Sequence, residues 1–234
     1  MFKGGIEMSK DVKEIIQALE SCYLGGDVCE HNFYEDIVYE FKAKYKKPFK
    51  YDQGASKGVL IFENLGLVVK IPFCGNYCDG DEYDEETDTY YGDDFEYFCG
   101  AEGDNGWDYC AVEAERYRLA KKDGLKKCFA GTGLVTEIQG HPIYIQEYAT
   151  MYDYGKSSNH TKEDTDSVHQ ICKDNSYYCF NEEWLSDLFN YFGEETFNNF
   201  MNFINFVGIN DLHNGNIGYI KGRPVLVDYS GWGD

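Results

Sequence analysis

Apolar residues recur at helical spacing in four stretches of this 234-residue chain. In the first, Val12, Ile15 and Leu19 fall on one side of a helix, as an amphipathic helix requires. The third stretch stops at Gly124, a residue type that commonly ends helices. The pattern predicts helices over residues 10–22, 32–46, 109–122 and 182–207, the last being the longest.

Short runs of β-branched and aliphatic residues, separated by turn residues, indicate three β-hairpins. The first covers residues 54–73 and turns at Asn64–Gly66. The second joins 134–138 to 143–146, and the third joins 217–220 to 224–227 through Lys221–Arg223. Together with the helices, these hairpins predict an α+β fold.

Two polar stretches lack any period and are predicted to be insertions. Residues 74–108 are acidic and rich in glycine and tyrosine, which is typical of a loop or a partly disordered segment. Residues 150–180 are polar throughout. The predicted organisation is a helical extension at 1–50, a β-rich lobe at 51–149 that carries the acidic insertion, and a helical lobe at 150–234.

The charge balance restricts the classes of partner. The chain has 42 acidic and 21 basic residues, a formal net charge of −21. Because nucleic acids and anionic membranes are also negative, direct binding to either is disfavoured. No apolar run reaches the roughly 18 residues of a transmembrane helix, and the N-terminus does not resemble a signal peptide. We therefore expect a soluble, cytoplasmic protein.

The nine cysteines do not form a recognisable framework of disulfides. Their number is odd and their spacing is irregular. Two Cys/His pairs, Cys29 with His31 and His169 with Cys172, lack a second half at zinc-site spacing. Reduced thiols are the favoured interpretation, and a structural zinc the disfavoured one.

The candidate chemistry lies in the stretch INDLHNGNIGYIKGRPVLVDYSG. Asp211 precedes Asn216 by five residues, and Asp228 follows the last hairpin. Transfer of a phosphoryl group from a triphosphate needs metal between phosphate oxygens, and the oxygen ligands Asn216 and Asp228 suit magnesium. It also needs a carboxylate to orient the acceptor hydroxyl, a role that suits Asp211.

This stretch resembles the catalytic and metal-binding loops of the protein-kinase-like superfamily. Its DLHNGN motif resembles that of aminoglycoside and choline phosphotransferases and of small kinase-like proteins of phage genomes. The resemblance implies a two-lobed kinase-like fold and the cofactors ATP and Mg²⁺. It also implies that Asp211 is the catalytic aspartate, Asn216 the metal-ligating asparagine and Asp228 the metal aspartate.

The resemblance extends to the first predicted hairpin. Lys70 lies in the apolar strand LVVKIPF, where the family places its phosphate-binding lysine, although an ordinary edge-strand lysine is the alternative. The small-residue loop before it, with Gly54, Ser56 and Gly58, implies contact with phosphate oxygens. The loop departs from the family's three-glycine form, because Ser56 stands at one glycine position.

Further site residues follow from the same resemblance. The helix of residues 109–122 carries Glu113 and Glu115, and we favour Glu113 as the partner of Lys70. The segment IQEYA resembles the link between lobes, which implies that the backbone of Glu147 and Ala149 meets the adenine edge. Gln146 is then expected at the back of the nucleotide pocket, with Lys70 and Asp228 facing one cleft.

Departures from the family keep two functions open. Ile209 and Asn210 replace its His-Arg pair, Ser230 replaces the glycine after the metal aspartate, and the chain ends six residues after Asp228, which predicts a truncated C-terminal lobe. The favoured function is a minimal phosphotransferase that modifies a hydroxyl of a protein or small molecule. The alternative is a catalytically inactive kinase-like protein whose acidic surface binds and inhibits a basic, nucleic-acid-binding partner, as a phage counter-defence inhibitor would. Residues 79–104, with twelve acidic and no basic residues, are the predicted docking element.

Overall fold

The computed structural model describes residues 9–22, 24, 28, 33–54, 56–73, 82–84, 89–91, 109–153 and 160–230. Helices and antiparallel strands are mixed, so the α+β expectation is confirmed. The chain divides into two compact units, residues 1–111 with 134–145 and residues 112–133 with 146–234. No helix in the described ranges is long and apolar enough to cross a membrane.

The first unit is built on a five-stranded sheet. Its strands are β1 (Lys50–Gln53), β2 (Lys57–Phe62), β3 (Leu67–Pro72), β6 (Thr132–Ile138) and β7 (His141–Glu147), in the order β1-β2-β3-β7-β6. The predicted hairpin is β2–β3, which turns at Gly66 with a positive φ of 67°. Strand β1 was not predicted, because most of its residues are exposed and polar.

The two faces of the β2–β3 hairpin differ in character. Leu60, Phe62 and Val69 pack into one core with residues of the N-terminal helices, among them Phe33. Those helices are α1 (Lys10–Glu20), a π-helical turn (Phe33–Val38) and α2 (Tyr39–Lys44). Because side chains alternate across a strand, Lys70 and its partner in register, Val59, lie on the opposite face.

The acidic insertion contains regular structure where none was predicted. Strands β4 (Glu82–Asp84) and β5 (Thr89–Tyr91) pair antiparallel, with Tyr83 opposite Tyr90. The expectation of a loop was therefore wrong at these six residues. Most of the predicted docking segment 79–104 lies outside the described residues.

The second unit contains most of the helices. They are α3 (Tyr109–Lys122, from Val112 onward), α4 (Lys162–Asp174), α5 (Glu182–Phe192) and α6 (Glu194–Phe206). A small sheet joins β8 (Thr150–Met151), β9 (Ile217–Ile220) and β10 (Arg223–Leu226) in the order β10-β9-β8. The core lies between these elements and includes Trp184, Phe200 and Tyr229, all fully buried.

Two predictions for this unit were wrong. The polar stretch 150–180 contains helix α4, which starts with a capping box between Thr161 and Asp164. The long helix predicted over 182–207 is two helices, since Gly193 adopts a positive φ of 81° between them. Only glycine takes this backbone conformation without strain.

Candidate functional site

Asn216 is the centre of the polar loop that follows α6. Its side chain is 5% exposed, and its Nδ2 donates a hydrogen bond of 2.7 Å to the backbone oxygen of Asp211. Its backbone N–H donates to the oxygen of His213 at 2.9 Å, which closes the short helical turn Asn214–Asn216. Residues 211–216 are thereby held as one compact loop.

The same asparagine holds the segment that carries Asp228. The backbone oxygen of Asn216 accepts the N–H of Val227 at 2.7 Å and that of Asp228 at 3.4 Å. Asp228 comes just after β10, and Ser230 donates its hydroxyl to the Asp228 Oδ1 at 3.1 Å. Asn216 thus links Asp211 and Asp228 through three hydrogen bonds, although the two are 17 residues apart.

The arrangement leaves oxygen atoms for a hard cation. Because the Asn216 Nδ2 donates to the Asp211 backbone, its Oδ1 is the side-chain atom that could bind a metal, and the Asp228 carboxylate is the second candidate ligand. Carboxylate and amide oxygens are ligands that Mg²⁺ prefers. The Asp211 side chain is 29% exposed, and His213 Nε2 lies 3.6 Å from its Oδ1. Asp211 is therefore accessible to an acceptor group.

Arg116 of α3 bonds to the backbone on both sides of the polar segment, at residues 207–208 before Asp211 and at residues 229–230 after Asp228. Its guanidinium donates to the backbone oxygens of Tyr229 and Ser230, which follow Asp228. It also donates to those of Val207 at 2.8 Å and Gly208 at 3.1 Å, at the C-terminal end of α6. Burial lowers the pKa of Arg116, and the charge of Glu113 opposes that shift. Sequence analysis missed this residue, because nothing distinguishes it from the exposed Arg118 two positions later.

Glu113 and Gln146 belong to a buried network in the second unit. Gln146 Nε2 donates to Thr132 Oγ1 and to the Val227 oxygen, both at 2.7 Å, and approaches Glu113 Oε2 at 3.4 Å. The Tyr229 hydroxyl donates to the Ala130 oxygen at 2.7 Å. Burial, reinforced by the Glu113 charge, raises the Tyr229 pKa well above its usual value. The residue directly after Asp228 is therefore fixed by side-chain hydrogen bonds as well as by Arg116.

The two glutamates considered for the lysine partner lie in different environments. Glu113 is fully buried, whereas Glu115 is exposed and pairs with Arg118. This pairing lowers the pKa of Glu115. Glu115 is thus accounted for by a surface ion pair, while a buried carboxylate such as Glu113 needs a polar environment.

Lys70 is placed in the first unit, on β3. It is only 3% exposed, and it is opposite Val59 in the register with β2. A lysine is rarely buried to this extent unless its ammonium group meets a counter-charge or hydrogen-bond acceptors. The alternative of an ordinary exposed edge-strand lysine does not describe this position.

The small-residue loop has a packing role that the sequence did not show. A Cβ atom on Gly58 would lie 2.2 Å from the Phe33 ring, so only glycine allows this buried ring to approach the strand. Gly54 donates its N–H to the Lys57 oxygen, and Ser56 accepts from the Phe73 N–H. Ala55 lies outside the described residues. Gly58 is therefore explained without any phosphate.

Glu147 and Ala149 lie at the end of β7 and just beyond it. The Glu147 backbone N–H donates to the Gly131 oxygen at 3.0 Å, so only its carbonyl is suited to meet an adenine edge. Its Oε2 accepts the Gly131 N–H at 2.9 Å. Ala149 is buried beside Ala130 and Val225.

Comparison of the chain with protein-family models, with curated proteins and with solved structures finds no match in any of the three.

Proposed function

We propose that this protein is a minimal kinase-like phosphotransferase that binds MgATP and transfers the γ-phosphoryl group to a hydroxyl of a protein or a small molecule. The observation that carries the proposal is the position of Asn216. This residue bonds the backbone of Asp211 with its side chain and the backbone of Val227 and Asp228 with its carbonyl. These bonds support the proposal because they link the residues proposed as catalytic carboxylate and metal ligands, both of which phosphoryl transfer needs.

The roles follow from the chemistry of each group. The oxygen of the acceptor hydroxyl forms a bond to the γ-phosphorus while the bond to the departing ADP oxygen breaks. Asp211 accepts the proton that this hydroxyl loses. The Asn216 Oδ1 and the Asp228 carboxylate would hold Mg²⁺, which would supply positive charge to neutralise the phosphate oxygens. Lys70 binds phosphate oxygens by its ammonium group.

The kinase-like fold is part of the proposal, and the order of elements supports it. The buried lysine is on the third strand, as in protein kinases. The next long helix, α3, carries a buried glutamate, and the catalytic and metal loops follow in that order. Each of these elements comes from a different part of the chain, so their shared order is stronger support than any one motif.

A second candidate function rests on charge. The net charge of −21 favours capture of a basic protein that normally holds nucleic acid, with the chain acting as a kinase-like inhibitor. This function needs neither proton transfer by Asp211 nor ATP turnover. Activity measurements therefore separate the two candidates.

The proposed activity is tested by incubating the protein with γ-labelled ATP, Mg²⁺ and a host lysate. We expect labelled product with the unmodified chain and none above background with Asp211→Asn. Asp166→Asn is the matched control, because this exposed aspartate on α4 loses the same charge. If no label is transferred to any acceptor, and none to water, the phosphotransferase proposal is wrong and the inhibitor remains.

A further inference from the structure

Four side chains with metal-binding chemistry meet where α4, the loop after it and the start of α5 come together. His169 and Cys172 are three residues apart on α4, and Cys179 and Glu182 are three apart at the entry to α5. Residues three apart on a helix lie on one face. The four positions form the symmetric spacing His-x2-Cys-x6-Cys-x2-Glu.

Three of the side chains are already close together. The candidate ligand atoms of His169, Cys179 and Glu182 all lie within 4.8 Å of one another, and His169 Nδ1 is 2.5 Å from Glu182 Oε1. Cys172 is the fourth candidate ligand because it is three residues from His169 on α4 and therefore on the same helix face. Two separate segments of the chain thus supply two candidate ligands each.

We propose that His169, Cys172, Cys179 and Glu182 bind one zinc ion. Two thiolates, an imidazole and a carboxylate favour zinc over magnesium or calcium, which take oxygen ligands. In a tetrahedral site with bonds of about 2.0–2.3 Å, ligand atoms lie roughly 3.3–3.8 Å apart. His169 and Glu182 need to separate by about 1 Å to reach this spacing, and both are free to do so because their side chains are about half exposed.

The four candidate ligands differ in burial. Cys172 is 1% exposed and packs in the same core as Trp184, so it anchors the site to the second unit. Cys179 is partly buried, and His169 and Glu182 form the open rim through which an ion enters. A bound zinc would cross-link α4 and α5 across the loop 175–181. A closed site with four protein ligands is structural and not catalytic.

The test uses the full chain, purified under reducing conditions with a tag that contains no histidine and then treated with a chelator. We expect it to bind one equivalent of Co²⁺ with a thiolate-to-cobalt charge-transfer band, which one equivalent of Zn²⁺ removes. Cys179→Ser and His169→Gln should each weaken zinc binding at least about a hundredfold, as loss of a ligand is more severe than loss of an outer-shell partner. Cys128→Ser is the control for loss of a thiol outside the cluster, since Cys128 is a buried cysteine in the same core, 1% exposed like Cys172.

Three results overturn the proposal. They are zinc binding that stays unchanged in Cys179→Ser, a cobalt complex without the thiolate band, and no metal uptake by the fully reduced protein. None of these results depends on whether the protein transfers phosphate, because no residue of the cluster belongs to the proposed phosphotransfer site.

Discussion

Gly58 and Asn216 are both predicted site residues, but they differ in the contacts that explain their positions. Gly58 is required by the Phe33 ring, which packs where a Cβ atom would lie. Packing therefore accounts for Gly58, whereas Asn216 and Arg116 make hydrogen bonds to backbone atoms of the two aspartates or of residues beside them.

The largest expected effect is that of Asp211→Asn, which tests the proposed catalytic role of this carboxylate. The side chain is changed, but the backbone oxygen that accepts from Asn216 stays, so the loop should remain folded. We expect the rate of label transfer to fall by about 10²–10⁴-fold, the usual effect of removing a general base, with MgATP affinity almost unchanged. Initial rates and calorimetry on the same preparation measure both. Retained transfer in this variant would remove Asp211 from the mechanism.

The positioning role of Arg116 is tested by Arg116→Lys. A lysine keeps the charge but cannot reach four carbonyl oxygens with a planar fork. Loss of several charge-assisted hydrogen bonds should lower the free energy of unfolding by about 2–4 kcal/mol in urea denaturation. In addition, transfer should fall more than stability alone explains when measured well below the unfolding transition.

Arg118→Lys is the control for this prediction. Arg118 is exposed and pairs only with the exposed Glu115 in the structure as described, so the change should cost less than about 0.5 kcal/mol. Equal effects of the two substitutions would contradict a special role for Arg116.

Two glycine substitutions test whether packing against Phe33 explains Gly58. Gly58→Ala places a methyl group against the buried Phe33 ring and should destabilise the fold by about 1–3 kcal/mol. Gly54→Ala meets no atom within 4 Å and should change stability little. Thermal unfolding measures both. If Gly58→Ala leaves stability unchanged but weakens ATP binding, the glycine serves phosphate and not packing.

The smallest expected effect is that of Tyr229→Phe. The hydroxyl of this fully buried tyrosine bonds to the Ala130 oxygen, and its loss leaves that carbonyl without the bond. We expect a loss of about 1–2 kcal/mol in urea unfolding. Tyr191→Phe, on an exposed tyrosine, is the control and should have almost no effect.

The sequence predicted elements with a clear apolar period and missed those without one. The β2–β3 hairpin and the helix that stops at Gly124 were correct, since the first has continuous β-type residues and the second ends in a positive φ of 78°. Helix α4 was missed because only Val168 and Cys172 of its residues are buried, which leaves almost no period to detect. Its capping box, Thr161 with Asp164, was the signal that could have revealed it.

For the candidate site, the sequence indicated candidate residues but not the long-range hydrogen bonds that hold them. The spacing of Asp211, Asn216 and Asp228 was visible, whereas the bond from the Asn216 carbonyl to the Val227 N–H joins residues that no local pattern relates. Likewise, His169 and Cys172 were visible as a pair, but Cys179 and Glu182 complete the cluster only through the packing of α4 on α5. Long-range contacts of this kind need the fold.

The proposed function requires that Asp228 and Asn216 hold the Mg²⁺ of a bound nucleotide. Calorimetric titration of ATP into the protein, with and without Mg²⁺, tests it most directly. We expect binding that requires Mg²⁺, is strongly weakened by Asp228→Asn and is unchanged by Asp166→Asn. The same ligand should raise the free energy of unfolding by about 2.7 kcal/mol at a hundredfold excess over its dissociation constant. Absence of binding at millimolar MgATP, or binding that is equally strong in Asp228→Asn, would contradict the account.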